Sequence, residues 1–335
     1  MDAKILTNIL DPPILFFFFG VFAALIKSNL EVPPPLTKFL SLYLLMAIGM
    51  KGGASLAVHG ISRDMALVVL AAIFMAMLVP LYSFFILRVR LKNLYDAAAI
   101  AATYGSVSLV TFIIAGEFIN KLGIAYGGYM TVALVSMESP AIVMAVLLAS
   151  AVRNRGTRGG DGQTQSSSTA LPMRKILHET FTDGTHLMLI GSVVIGAMTG
   201  EEGKKVMEPF IVHIFRGMLA FYHLEMGLTA AIRLRELKGW DGAFLVGFGM
   251  VMPVINASVA LAIGQLLGLT MGDTFMFMVL AASASYIAVP AVVRYAIPEA
   301  NPSLYFSLAL AVTFPFNIVF GLPLYFKMVE ILWSG

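Results

Sequence analysis

Ten apolar stretches, each near the length of a membrane-spanning helix, divide this chain of 335 residues, and one polar stretch separates them into five and five. They lie near 12–28, 35–52, 65–88, 95–117, 127–151, 185–200, 208–230, 242–268, 273–293 and 303–328. A helix that crosses a bilayer needs about 20 mostly apolar residues. Inside lipid every backbone amide must find its bond within the protein, so a chain of this kind folds as a bundle of spanning helices. Composition agrees. Charged residues make up 12% of the chain and apolar ones 59%, against about 25% charged in soluble domains.

The polar stretch runs from Arg153 to Lys175 and is rich in Gly, Ser, Gln and Arg, the composition of a flexible linker. It defines a first five-helix unit at 1–152, a linker at 153–176 and a second five-helix unit at 177–335. The amino-terminal segment sets two acids, Asp2 and Asp11, against one Lys4 and has no clear small-residue cleavage site, so it is expected to be a retained first helix rather than a signal peptide. Basic residues gather in alternate connections: Lys27; Arg88, Arg90 and Lys92; Arg153 to Lys175; Arg233, Arg235 and Lys238; and Arg294. The positive-inside rule then places the linker in the cytoplasm and both termini outside. An odd number of helices per unit makes the two units insert in opposite senses, the layout of inverted-repeat transporters. Because the basic residues sit between spans, the net charge of +3 points to a membrane and not to nucleic acid. There is no cysteine, and His59, His178, His186, His213 and His223 form no metal-ligand spacing.

The repeat also shows in particular residues. The fourth segment opens with Asp96 and the ninth with Asp273. Ten residues on stand Ser106 and Ser283, and two further on Ser108 and Ser285. Ile48-Gly49-Met50 echoes Met226-Gly227-Leu228, and Val135-Ser136 echoes Val312-Thr313. Gly105-Ser106-Val107-Ser108, near Thr103, Tyr104 and Thr111, and Ser283-Ala284-Ser285, followed by Pro290, are poor helix formers in mid-span. They predict two discontinuous helices crossing at the midplane, with half-helix ends and hydroxyls turned toward a bound anion. The alternative is close packing of small residues.

Glu138, within Ser136-Met137-Glu138-Ser139-Pro140, is a carboxylate deep in an apolar span, costly unless paired or ion-bound. With Ser139, Ser285 and Asn317 it is expected to form a site for a hard cation such as Na⁺. The other option is a protonated acid at a helix interface. Tyr104 and Tyr286 flank the serine pairs as candidate gates. Glu225 and His223 are expected to pair with each other or with Lys51, Glu117 to be interfacial, Asn256 to join helices, and Arg294 to snorkel to the interface.

The run Ile297-Pro298-Glu299-Ala300-Asn301-Pro302-Ser303, with Pro290 to Arg294 before it, is similar to a family segment that reads from a proline through R-x-G-I-P-x-A-N-P-S. Phe215-Arg216-Gly217-Met218-Leu219, Met226-Gly227 and Met137-Glu138-Ser139-Pro140-Ala141 match in kind. On these residues both helical halves resemble the cyanobacterial-type sodium-dependent bicarbonate transporter superfamily. The likeness fails in the central linker, which is shorter here. It implies an all-α membrane protein of ten transmembrane helices, a 5+5 inverted repeat with core and gate domains and elevator-type alternating access. It further implies a homotrimer in a bacterial inner membrane that takes up HCO₃⁻ with Na⁺ as coupling ion and no other cofactor. By position, Gly105, Ser106, Ser108, Thr111, Ser283 and Ser285 would line the anion and sodium sites, and Glu138 would replace a family aspartate. Tyr286 stands where the family has an aspartate, and Leu109-Val110-Thr111 where it has Gly-Ser-Thr. These departures keep open a carrier for another small anion, or one driven by H⁺. The family's PII-like regulatory partner docks on the cytoplasmic side, where this chain has the shorter linker. A channel or sensor is the alternative from another class. An enzyme is not expected, since no paired acids or His cluster stand at one depth.

Overall fold

The computed structural model describes residues 10–60, 62–156, 182, 184–237 and 239–333, and all regular structure among them is helical. The helices are α1 (Pro12–Leu25), α2 (Pro34–His59), α3 (Arg63–Leu87), α4 (Leu94–Gly105), α5 (Leu109–Lys121), α6 (Met130–Gly156), α7 (Gly184–Glu208), α8 (Phe215–Leu234), α9 (Gly239–Leu267), α10 (Met271–Ala282), α11 (Ala288–Ala296) and α12 (Pro302–Trp333). Among the described residues six are long and apolar enough to cross a membrane: α2, α3, α4 with α5 taken across their break, α6, α9 and α12. The linker expected at 153–176 lies, from residue 157 on, outside the described residues.

Local chemistry explains where the helices begin. Prolines at the first positions start α1, α2 and α12, where a missing N–H costs nothing. Ser62 Oγ accepts from Met65 N at the head of α3, and Asn93 Oδ1 accepts from Tyr95 N at the head of α4. At α10 the cap is reciprocal: Thr270 Oγ1 accepts from Asp273 N and donates to Asp273 Oδ2.

Leu70, Phe74, Met77, Leu81 and Phe85 of α3 recur at helical spacing and are exposed. A long apolar stripe on the outside of a bundle suits lipid rather than water. Charges collect at the helix ends instead. Asp11 pairs with Lys121 and Arg216 at one end of the bundle, Arg90 with Asp241 and Arg153 with Glu299 at the other.

Packing arranges the helices in two groups, with α8 of the first also lying against the first part of α12 in the second. In the first, α2 lies along α7 and α1 along α8, and α8 touches α2. In the second, α3 packs on α4 and α6, α4 on α6, α9 on α10, and α10 on α5 and the end of α12. The first group is held by backbone approaches that only glycine allows. A Cβ on Gly49 would lie 2.9 Å from Leu189 O, and one on Gly227 would lie 2.0 Å from Phe17 O.

Four of the ten segments are not plain uninterrupted helices. The fourth is broken at 106–108 and the ninth at 283–287, as the serines predicted. The sixth, expected to end at 200, turns at Gly200 (φ 58°) and resumes as helix to Glu208, helped by a Glu201–Lys204 ion pair of 3.0 Å. The tenth contains π-helical turns at Leu308–Thr313 and Asn317–Gly321, either side of Pro315. Proline removes a donor from the ladder, and wide turns absorb the mismatch.

Candidate functional site

The two breaks lie against each other. Ser108 N donates to Ser283 Oγ over 2.9 Å, and Ser285 N donates to the Thr103 carbonyl over 2.8 Å. The amino ends of α5 and α11 and the carboxyl ends of α4 and α10 therefore meet in one region. Ser108 caps α5 by accepting from Thr111 N and Thr111 Oγ1, and Ser285 Oγ accepts from Val289 N in α11.

Distal contacts hold each broken pair in place. Asp96, near the start of α4, accepts from Asn301 N just before α12. Asp273, near the start of α10, accepts from Gly127 N and Tyr129 OH just before α6. Each carboxylate is buried and bonds to backbone or hydroxyl donors at 2.7 Å. These two aspartates thus anchor the loops that lead into the tenth and fifth segments.

Ser106 is fully buried, and among the described residues its hydroxyl has no hydrogen-bond partner. A buried polar group left unpaired costs about 1–3 kcal/mol, and the hydroxyls of Ser41, Ser83 and Thr274 carry the same cost elsewhere in the bundle. Ser283 is the opposite case: besides accepting from Ser108 N it donates to Leu280 O. Gly105 closes α4 against α3, where a Cβ would lie 2.2 Å from Pro80 Cγ.

A narrow cavity of about 20 Å³ opens beside the breaks, lined by Ser108, Ser285, Tyr286, Glu138, Thr185 and Leu45 among others. That is room for one water or one small ion. Glu138 is buried, and its Oε2 lies 2.7 Å from His186 Nε2 on α7. The two side chains join α6 of one helical group to α7 of the other. Ser139 and Asn317, expected beside Glu138, do not line this cavity, and neither do Gly105, Ser106, Thr111 and Ser283, expected at the anion site. Asn317 Nδ2 donates to Ala282 O, the last carbonyl of α10, and its Oδ1 accepts from Tyr325. It therefore satisfies the half-helix end.

Tyr286 borders both this cavity and a wider one of about 440 Å³ that reaches Lys38 and Arg233. Its hydroxyl is 3.4 Å from Ser108 Oγ. Tyr104, the other expected gate, is buried, bonded to Thr313 and edge-on to Phe248. It is a packed core residue.

Glu225 pairs with neither His223 nor Lys51: it accepts from Thr229 and faces the wide cavity. His223 Nδ1 contacts Leu219 O, and Lys51 lies over the Phe215 ring. Asn256 accepts from Tyr82 and so joins α9 to α3, as expected. His186 is the site residue that sequence reasoning missed. Its signal was a histidine at the start of an apolar segment in a chain with only five.

A family model described as the Na⁺-dependent bicarbonate transporter superfamily matches residues 12–330. Comparison with curated proteins gives no match.

Proposed function

Because the chain belongs to the Na⁺-dependent bicarbonate transporter superfamily, we propose that it is a multi-pass carrier that takes up bicarbonate together with Na⁺ at the two serine breaks. The observation that carries the reading is the meeting of the two breaks, Ser108 N on Ser283 Oγ, beside a cavity lined by Ser108, Ser285 and Glu138. Amide donors at the starts of α5 and α11 favour a negative charge between them. Hydroxyls of Ser106 and Ser108 add donors, and the Glu138 carboxylate beside Ser285 suits a hard cation.

Alternating access comes from sliding of one helical group against the other. Each half of the chain gives its first two segments to one group and its last three to the other, which supports an inverted repeat. Gly49 packs the second segment on the sixth, and Gly227 packs the seventh on the first, as inverted copies would. The wide cavity opens toward Lys38 and Arg233, the basic and hence cytoplasmic end. The conformation is then inward-facing, with Tyr286 between vestibule and site.

One observation favours a second reading. The Glu138–His186 pair is a carboxylate and an imidazole in one place, chemistry that suits H⁺ as the coupling ion. Uptake of labelled bicarbonate into proteoliposomes, with imposed Na⁺ or H⁺ gradients, separates the two. Uptake under neither gradient sinks the carrier reading.

A further inference from the structure

One face of α2 runs the length of the seam between the two helical groups. Lys38 and Ser41 border the wide cavity, Leu45 the narrow one, and Ile48 and Lys51 a third of about 150 Å³ at the opposite end. The spacing of three and four residues places all five on one helical stripe. Three cavities therefore follow one another along a single helix face, with apolar Leu45 and Ile48 in the middle and a lysine near each end.

The third cavity is closed in by α2, α5, α6, α8 and the turn before α6, and Lys51, Asn120, Tyr126 and Thr131 bring donors to it. Lys51 Nζ lies over the face of Phe215, 4.2 Å from its centroid. A carboxylate also borders the space, that of Glu117, but it lies 3.6 Å from Arg216. Arg216 and Lys121 in turn both reach Asp11. Glu117 faces Lys51 as well as Arg216, and the three cations, Lys51, Lys121 and Arg216, against the two carboxylates, Asp11 and Glu117, leave this end of the bundle with one net positive charge.

From this we propose that the cavity at Lys51 is a second anion site, a collecting point for a small oxyanion at the end of the bundle away from the basic loops. The proposal rests on the transport reading for its direction of flow, but the site itself does not need it. A cation in a cleft with low-dielectric walls concentrates anions by roughly tenfold or more. Donors from Asn120, Tyr126 and Thr131 would replace part of the water that a bicarbonate loses on leaving solution. From there the stripe of α2 leads past Ile48 and Leu45 to the serine breaks.

The test uses the full chain, which has no cysteine of its own. With Asn120→Cys as reporter, an anionic methanethiosulfonate should react roughly tenfold faster, relative to its cationic analogue, than in Asn120→Cys with Lys51→Gln. In the chain with native Asn120, Lys51→Gln should raise the KM for bicarbonate severalfold and leave the maximal rate nearly unchanged, and Lys51→Arg should restore it. If Lys51→Gln does not fold, Lys51→Met keeps the packing on Phe215 and serves instead. A charge preference that survives loss of Lys51, or a KM that does not move, overturns the site. A preference that depends on Lys51 in a protein that moves no bicarbonate supports the site and removes the transport reading alone.

Discussion

The backbone amide of Ser108, at the head of α5, donates to the hydroxyl of Ser283, at the end of α10, over 2.9 Å. The same hydroxyl donates back to Leu280 O, so one atom ties the start of one half-helix to the end of another. The return bond, Ser285 N to the Thr103 carbonyl, closes the clasp from the other side. Two interrupted helices are thereby held at one depth without either filling the gap in the other.

That division of labour separates two substitutions of the same chemistry. Ser283→Ala removes the acceptor of a buried amide and should destabilise the protein by about 1–3 kcal/mol and abolish uptake. Ser106→Ala removes a hydroxyl with no partner, so thermal stability should hold or rise while uptake falls. Melting of the detergent-solubilised variants beside an uptake assay checks both. A Ser106→Ala protein that transports like wild type would rule that hydroxyl out as a ligand.

Glu138 and His186 meet between α6 and α7. Glu138→Gln keeps a polar group for the ring but removes the charge, so the cation dependence of uptake should flatten. His186→Ala leaves a buried carboxyl group without that partner, a loss of about 1–3 kcal/mol. Cation titrations of uptake read the first effect and unfolding curves the second. A Glu138→Gln titration that overlays the wild-type curve would show that the carboxylate holds no coupling ion.

The Arg153–Glu299 pair closes the basic end, with bonds of 2.9 and 2.8 Å. Partial burial pushes the Glu299 carboxyl upward, but hydrogen bonds from Arg153 outweigh it and hold the group below the usual carboxylate range. A lowered acid stabilises the fold above its unfolded value, near 4.3, and loses that contribution as pH falls through the lower folded value. The pair is partly exposed, so the effect is at most about 1 kcal/mol. Wild type should lose stability relative to Glu299→Gln on going from pH 7 to pH 3. Parallel melting curves across that range would contradict it.

Much of this architecture was legible because lipid imposes a length rule that residues obey one by one. The breaks were readable from Ser106, Ser108, Ser283 and Ser285, since the same pair stands at the same distance from Asp96 in one half and Asp273 in the other. What the sequence hid was partnership. Nothing local to Glu138 announces His186, which comes from another helix, and nothing local to Asn317 shows that its amide meets Ala282 O. The helical turn after Gly200 was hidden too, because its charges read as a loop until the Glu201–Lys204 pair is seen.

The proposed sliding of one helical group past the other makes a sharper demand, on which contacts must persist. Gly53 and Gly196 bring α2 and α7 into backbone contact, with Cβ positions 2.1 Å from Val193 O and 2.5 Å from Met50 O. If these helices move or stay as one body, a reducible cross-link between cysteines at Ala54 and Val193 should leave uptake intact. Leu45 on α2 and Leu109 on α5 line the same narrow cavity from opposite groups, so a cross-link between cysteines there should stop uptake and reduction should restore it. Enlarging the glycine contact tests the same body by packing. Gly53→Val forces side chain into backbone and should destabilise by about 1–3 kcal/mol, while Gly247→Ala on α9, with nothing near its Cβ, should be neutral or slightly stabilising. Full uptake through a chain cross-linked at Leu45 and Leu109 would mean that the two groups do not slide.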